Sequence, residues 1–594
     1  MDNKLEWNLK EIYKDDEDFE RDVNRLKEKT KEITALKGKL SEGSDRVLDC
    51  FKKLAEALEL EEKLYAYAML KYNKDMANSE SIKLYKHIEK VVTDFSEKIS
   101  FISPELSKID DKTLNSFLEE NEELRKEFKK SIEDIIKDKK HILSEELEEV
   151  LAKYSEVFGA SENAYDIFTD TELDFPDIET DKGEKLKVTH GTFSRYLMDK
   201  DKNVRKQAFS SMYSLYKRHQ NTITELYLAK VKERTISAKL RKYQSSLDAA
   251  TNNDDSNVKV YETLLKEVNK NLDLNREYMK LKKALLKEKE FHIYDVYVNT
   301  LNVEEKDIPY EEGKEIVLKA LKPMGESYIN MLKIAFENNW LDVYETKNKR
   351  SGAYSMGIHT VHPYVLLNYH NSSRDVSTIA HELGHSMHSY YASKNQNIIN
   401  ANYTIMVAEV ASTVNEILLA NYLINEEKDA KKKAALINEQ LDTIRATLYR
   451  QTMFAEFEKE VHSLVEKGES LTAENLDNIY YALVKKYFGE AVIADEDIKY
   501  EWARIPHFYT CFYVYKYATG IISAIVIANN ILSGKEGYVE KYINMLSKGG
   551  SIGSLDLLKL VDVDLEKEET YENAFEYFRK NLEELKRLTE NLEK

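Results

Sequence analysis

The stretch KKKAALINEQLDTIRATLYRQTMFAEFEKEVHSLVEK, residues 431–467, decides the fold class. Its apolar residues Leu436, Leu441, Ile444, Leu448, Met453, Phe457, Val461 and Leu464 recur every three, four or five positions, which predicts one face of a long helix. Similar patterns run through residues 51–71, 258–287 and 571–592. Proline agrees. A proline costs about 3 kcal/mol inside a helix, and the only prolines are Pro104, Pro176, Pro309, Pro323, Pro363 and Pro506, with long gaps between them. The expected fold is mainly α.

Two stretches break the pattern. In residues 169–188, Thr171, Leu173 and Phe175 alternate ahead of Pro176, Gly183 and Leu186-Lys187-Val188, which predicts a β-hairpin or small sheet. In residues 350–370, Ser351 to Gly357 and Tyr364 to Tyr369 read as two short strands joined by a turn. Lysine- and glutamate-rich runs such as residues 427–433 read as solvated helix faces.

Composition narrows the class. Of 594 residues 42% are hydrophobic, enough for a large core, and 18 Gly with 6 Pro argue against collagen-like or turn-rich all-β chains. Cys50 and Cys511 are the only cysteines, too few and too far apart for a disulfide framework or a cysteine-based zinc module. Acids outnumber bases 107 to 88, a net charge of −19 that disfavours a nucleic-acid partner. The start at Met1 to Trp7 lacks the apolar core of a signal peptide, and no uninterrupted apolar run of about 18 residues appears. These features predict a soluble, cytoplasmic protein with no membrane partner.

His381-Glu382-Leu383-Gly384-His385 carries the chemistry. Histidines four apart share one helical face, where their imidazoles can converge on one ion. Tetrahedral zinc accepts two such nitrogens, a third protein ligand and a water. Glu382 can reach that water without ligating, as a general base should. The third ligand is not a histidine at the metzincin spacing, because that position is Tyr391. Downstream, Glu409 and Glu416 stand seven apart in an apolar helical stretch, where an acid is expensive unless paired or bound to a cation. Glu409 is the expected ligand and Glu416 a supporting acid. Two other readings are weaker. A helical di-iron site needs a second Glu-x-x-His, and no other histidine has a glutamate three residues before it. A structural zinc site needs a fourth protein ligand, and no cysteine lies nearby in sequence.

The residues 380–388, Ala408 to Thr413, Tyr449 to Glu458, Gly352-Ala353-Tyr354 with Val365 to Tyr369, Ile505 to Tyr509, and Trp7-Asn8-Leu9 with Ile12-Tyr13 together resemble the oligoendopeptidase F group of the M3, thimet-oligopeptidase-like, zinc metallopeptidases. The resemblance covers nearly the whole chain. It implies one Zn²⁺ held by His381, His385 and Glu409, with Glu382 as general base. It implies a two-lobed helical ellipsoid split by a deep substrate channel, with a small β-sheet next to the zinc helix. The implied division is an N-terminal helical domain with a small β-hairpin over residues 1–200, and a catalytic domain over residues 201–594. The implied substrates are short unfolded oligopeptides cut at internal bonds, and oligomeric state stays open.

The segment from His507 to Tyr517 holds four tyrosines in nine residues. Peptide hydrolysis develops an oxyanion that a positioned phenol or imidazole can stabilise. The resemblance assigns this to His507, Tyr513 and Tyr517, with Tyr509 and Tyr515 as the alternatives one register away. Gly352, Ala353 and Tyr354 read as an exposed strand edge that binds an extended peptide as an added strand. Glycines at 352 and 357 allow close backbone approach. His388 reads as a neighbour of the ligands rather than a ligand, and Cys511 as a small core residue.

Overall fold

A computed structural model describes residues 5–301, 303–304 and 306–592. Met1 to Lys4, part of the start read for a leader, lie outside the described residues. The chain is mainly α, with five short strands in two small sheets among the described residues.

Residues 431–467 form the helix Ala430–Ile444, a π-helical turn Arg445–Tyr449, and the helix Arg450–Glu466. The five-residue step from Leu448 to Met453 falls across this turn, whose extra residue keeps both side chains buried. Each fully buried Leu or Met side chain there contributes about 1.5–3 kcal/mol. Residues 258–287 divide at Asn271 into Val258–Lys270 and Leu272–Leu285. The longest helix, Lys202–Leu240, starts behind Asp201, whose carboxylate caps the Asn203 N–H.

Contacts group the chain into two compact units. One comprises Met1–Lys140, Glu305–Tyr422 and Val526–Val563; the other comprises His141–Glu304, Leu423–Ile525 and Asp564–Lys594. Each unit is thus built from three segments far apart in sequence.

In the first unit, β3 (Leu341–Asp342) runs parallel to β5 (Tyr364–Leu366), and β4 (Tyr354–Met356) runs antiparallel to β5 on its other side. The last two are the strands expected in residues 350–370, at shorter length; β3 had no alternating signal in its two residues. The Trp7 indole N–H donates to the carbonyls of Trp340 and Val365, pinning the chain's start against this sheet. In the second unit, β1 (Ile178–Glu179) pairs antiparallel with β2 (Lys185–Leu186) around Gly183, whose φ of +78° suits the turn. The hairpin expected over residues 169–188 therefore starts later than its alternation suggested. Phe168–Glu172 continues the preceding helix as a π turn, with the Thr169 and Thr171 hydroxyls donating to the Tyr165 and Ile167 carbonyls.

Candidate active site

The helix Ser373–Asn395 starts just after β5 and is fixed at its first turn by a capping box. The Ser372 hydroxyl accepts the Asp375 N–H, and the Asp375 carboxylate accepts the Ser372 N–H at 2.9 Å. Two turns on, His381 and His385 project from one face and Glu382 is buried beside them. A second helix, Ile405–Glu426, crosses this one at Gly384. A β-carbon on Gly384 would lie 2.6 Å from both the Ala411 carbonyl oxygen and the Ser412 Cα. The Asn415 amide donates to the Ala380 carbonyl at 3.0 Å and accepts from the Tyr328 hydroxyl at 3.1 Å, locking the crossing. By hydropathy and length this second helix could cross a membrane. Its Glu409, Asn415 and Glu416 instead serve the contacts with the motif helix.

Close crossing brings Glu409 onto the histidines. His381 Nε2 and His385 Nε2 stand 3.2 Å apart, and Glu409 Oε2 is 3.5 and 3.4 Å from them. Three lone-pair atoms crowd one point, which favours a cation between them. Ligand bonds of 2.0–2.1 Å in a tetrahedron give ligand–ligand edges of about 3.3 Å, so these side chains fit a first-row divalent ion. Among the described residues this is the His/Cys/Asp/Glu cluster able to hold a metal. The remaining ring nitrogen of His381, Nδ1, faces Glu416 Oε1 at 3.0 Å. That carboxylate fixes the tautomer and leaves Nε2 to the ion. The Ser412 hydroxyl donates to Glu409 Oε2 at 2.9 Å and restrains that carboxylate in the same way.

Electrostatics follow this arrangement. Burial pulls His381 down, but the hydrogen bond it donates to Glu416 and the nearby carboxylates more than offset it and lift the imidazole to about 9. Glu409 is drawn down to about 2, chiefly by its hydrogen bond to His385 and against the effect of burial. Burial raises Glu382, with His381 and His385 opposing. A carboxyl raised in this way is suited to accept and release protons.

His388 lies outside the cluster. One turn past His385 it points into the core, stacked on Tyr403 with ring centroids 3.6 Å apart, and burial holds it down at about 3. His359 pairs with Glu59, His362 stacks on Trp340, and His370 faces Glu345 at the surface.

Strand β4 is bound to the motif helix through a hydrogen bond of 2.8 Å between the Ser355 and Ser386 hydroxyls. β5 pairs with one of its edges, and no described strand pairs with the other. Gly357 is needed for the helix: a β-carbon there would meet Ser389 at 2.8 Å. Gly352 is needed for its own backbone, at φ +84° with open space around it. Its carbonyl accepts the Asn368 amide at 2.8 Å. The half-buried Tyr354 accepts a hydrogen bond from Asn73 through its hydroxyl.

The aromatic segment belongs to the second unit. His507 Nε2 is 3.5 Å from the Tyr517 hydroxyl, and the Tyr513 and Tyr517 rings meet edge to face at 5.3 Å. Tyr513 and Tyr517 are partly exposed and His507 is exposed. The two alternatives point inward: Tyr509 is 3% exposed and stacked on Tyr165, and Tyr515 is buried with its hydroxyl on Asp254. Cys511 is partly buried, and burial pushes its thiol up to about 12.

Sequence reasoning did not single out two features here. Phe512 has a φ of +58°, and a bulky residue in the left-handed region costs about 1–3 kcal/mol. Its N–H donates to Oε1 of Glu458 at 2.8 Å, and that glutamate is 0% exposed. The available signal was an acid between the core positions Phe454, Phe457 and Val461.

Two histidines and a glutamate from a crossing helix, with an unligated glutamate next to the first histidine, define a metallopeptidase centre on a helical scaffold. The profile of Peptidase family M3 matches residues 195–577, and that of Oligopeptidase F matches residues 105–175. Oligopeptidase PepF of Bacillus subtilis is 39% identical over 98% of this chain and 87% of its own length. An oligoendopeptidase F homolog of Borreliella burgdorferi is 37% identical over 98% of each chain. A crystal structure of oligoendopeptidase-F from Enterococcus faecium aligns with a TM-score of 0.73 at 33% identity, covering 97% of this chain and 99% of that one. A solved structure from Chlamydophila abortus aligns with a TM-score of 0.94 at 34% identity over 99% of both. The chain belongs to peptidase family M3, among the oligoendopeptidase F proteins. It is a metallo-endopeptidase.

Proposed function

We propose that this enzyme is a zinc endopeptidase that cuts internal bonds of short unfolded oligopeptides. The observation that carries the reading is the convergence of His381 Nε2, His385 Nε2 and Glu409 Oε2 within 4.8 Å of one another. These three side chains would hold one zinc ion per chain. When bound, zinc supplies a Lewis acid that acidifies water and polarises a carbonyl.

The protein's own groups do the rest. Glu382 takes the proton of the attacking water on its carboxylate and returns it to the leaving amine nitrogen. Glu416 holds His381 in the tautomer that presents Nε2. The backbone of Gly352, Ala353 and Tyr354 pairs with an extended substrate as an added strand, which reads main chain rather than side chains. His507, Tyr513 and Tyr517 donate hydrogen bonds to the developing oxyanion. In sequence we divide the protein into an N-terminal region of residues 1–200 and a catalytic region of residues 201–594; the M3 profile starting at residue 195 supports this. Two unpaired cysteines support a reducing, cytoplasmic site of action.

The test is hydrolysis of an internally quenched peptide of about ten residues, with mass spectrometry of the products, with and without a chelator. Internal cleavage should stop on chelation and return with zinc. A zinc-loaded protein that cleaves no such peptide overturns the reading.

A further inference from the structure

A bulky residue held at positive φ needs its surroundings to hold it there, and such outliers cluster where geometry serves function. Phe512 is held from several sides. Its N–H is bonded to Glu458, and its ring lies 4.4 Å from that of His462, one turn along the same helix. Tyr261 meets the Phe512 ring edge-on at 5.9 Å and is itself tied to the Ala455 carbonyl through its hydroxyl. Tyr515 and Lys516 both bond Asp254, at 3.0 and 2.6 Å. The Lys516 ammonium also lies 4.7 Å from the ring centre of Tyr513, whose ring meets those of Tyr517 and His507.

The left-handed residue fixes which side chains point where. With Phe512 at φ +58°, Phe512, Val514 and Tyr515 enter the core while Tyr513 and Tyr517 share the accessible side. Glu458 is built for this task and no other that the fold displays. Its Oε1 accepts the strained N–H, and its buried Oε2 has no hydrogen-bond partner among the described residues.

We infer that Glu458 is a positioning residue: through the Phe512 N–H it holds the turn that presents Tyr513 and Tyr517 to substrate. This rests on the reading of those tyrosines as oxyanion donors. What the site needs from Glu458 is a neutral or charged oxygen acceptor of this length, so Glu458→Gln keeps the function and Glu458→Leu removes it.

The experiment uses the full-length, zinc-loaded enzyme and five forms: wild type, Glu458→Gln, Glu458→Leu, Tyr513→Phe and Tyr517→Phe. Backbone amide exchange of the 510–517 segment, followed by mass spectrometry, reads the turn directly. Exchange should quicken by about tenfold or more in Glu458→Leu and stay within about twofold of wild type in Glu458→Gln. In parallel, kcat should fall by about tenfold or more in Glu458→Leu with KM within about twofold, and Glu458→Gln should restore it. Unchanged exchange or unchanged kcat in a folded Glu458→Leu overturns the proposal, as does equal loss in Glu458→Gln. Wild-type kcat in both tyrosine variants overturns the donor reading instead, while the exchange result still decides the role of Glu458 in the turn.

Discussion

Gly384 and Ser412 touch through their backbones: a β-carbon on Gly384 would sit 2.6 Å from the Ser412 Cα. The two helices that carry His381, His385 and Glu409 can approach this closely only because the residue before His385 has no side chain. The convergence of His381, His385 and Glu409 thus depends on a hydrogen atom in place of a methyl group.

Gly384→Ala should therefore separate the helices and draw Glu409 away from the histidines. Overpacking of this kind costs about 1–3 kcal/mol, and the larger effect should be on metal retention. Metal content after dialysis and the thermal midpoint check it. A variant with wild-type zinc content and stability would contradict the crossing argument.

Glu382 sits beside the cluster without belonging to it. Glu382→Gln keeps the shape and removes the proton acceptor. Zinc content should stay at wild type while kcat falls by about 10²–10⁴-fold, the usual range for general acid–base groups. Substantial remaining turnover would move the base elsewhere.

Glu416 touches only the far nitrogen of His381 within the cluster. Glu416→Ala leaves that N–H without its carboxylate and lowers the basicity of Nε2. Zinc affinity should fall by about 10–100-fold, measured by competition with a chromophoric chelator. Peptide affinity should not change once zinc is saturating.

Stability should carry a pH signature of Glu458. Burial raises its carboxyl well above the usual range, against the opposing pull of the Phe512 N–H and Lys516. Tyr227, Tyr261 and Cys511 share its surroundings. The folded state therefore keeps a proton that the unfolded chain releases above about pH 4.3. Such a group contributes its full stability below the unfolded pKa and loses it as pH rises towards the folded value. Above pH 4.3, wild type should lose stability relative to Glu458→Gln by up to about 1.4 kcal/mol per pH unit. Denaturant melts of both proteins from pH 4 to 8 measure the difference. Parallel curves would mean that Glu458 ionises in the fold.

Residues 431–467 show why the helices were legible and where detail was lost. Apolar spacing depends only on which face is buried, so it survives in a single sequence. The π turn at Arg445–Tyr449 left one trace, the five-residue step from Leu448 to Met453, which a regular helix with an imperfect stripe would also produce. The His381/Glu382/His385 motif was legible because helical geometry converts spacing into facing side chains. Glu409 needed the further argument that an acid in an apolar helical stretch wants a cation, although its side chain is in fact 44% exposed. Glu458 was not legible, since the N–H that explains it lies 54 residues away in sequence, on a turn whose left-handed residue is a phenylalanine. Alternation in Thr171, Leu173 and Phe175 misled because the two threonines satisfy the preceding turn through their hydroxyls, leaving helix to compete with strand.

Both compact units are stitched from three separate segments, and the order of synthesis gives this a consequence. Residues 1–140 leave the ribosome first, yet their unit is completed only by residues 526–563. At about 5–20 residues per second, that wait is on the order of tens of seconds. The sheet and the helices carrying His381, His385 and Glu409 emerge late in that interval and still wait for their last neighbours, so nascent chains should depend on holding chaperones far more than the finished enzyme does.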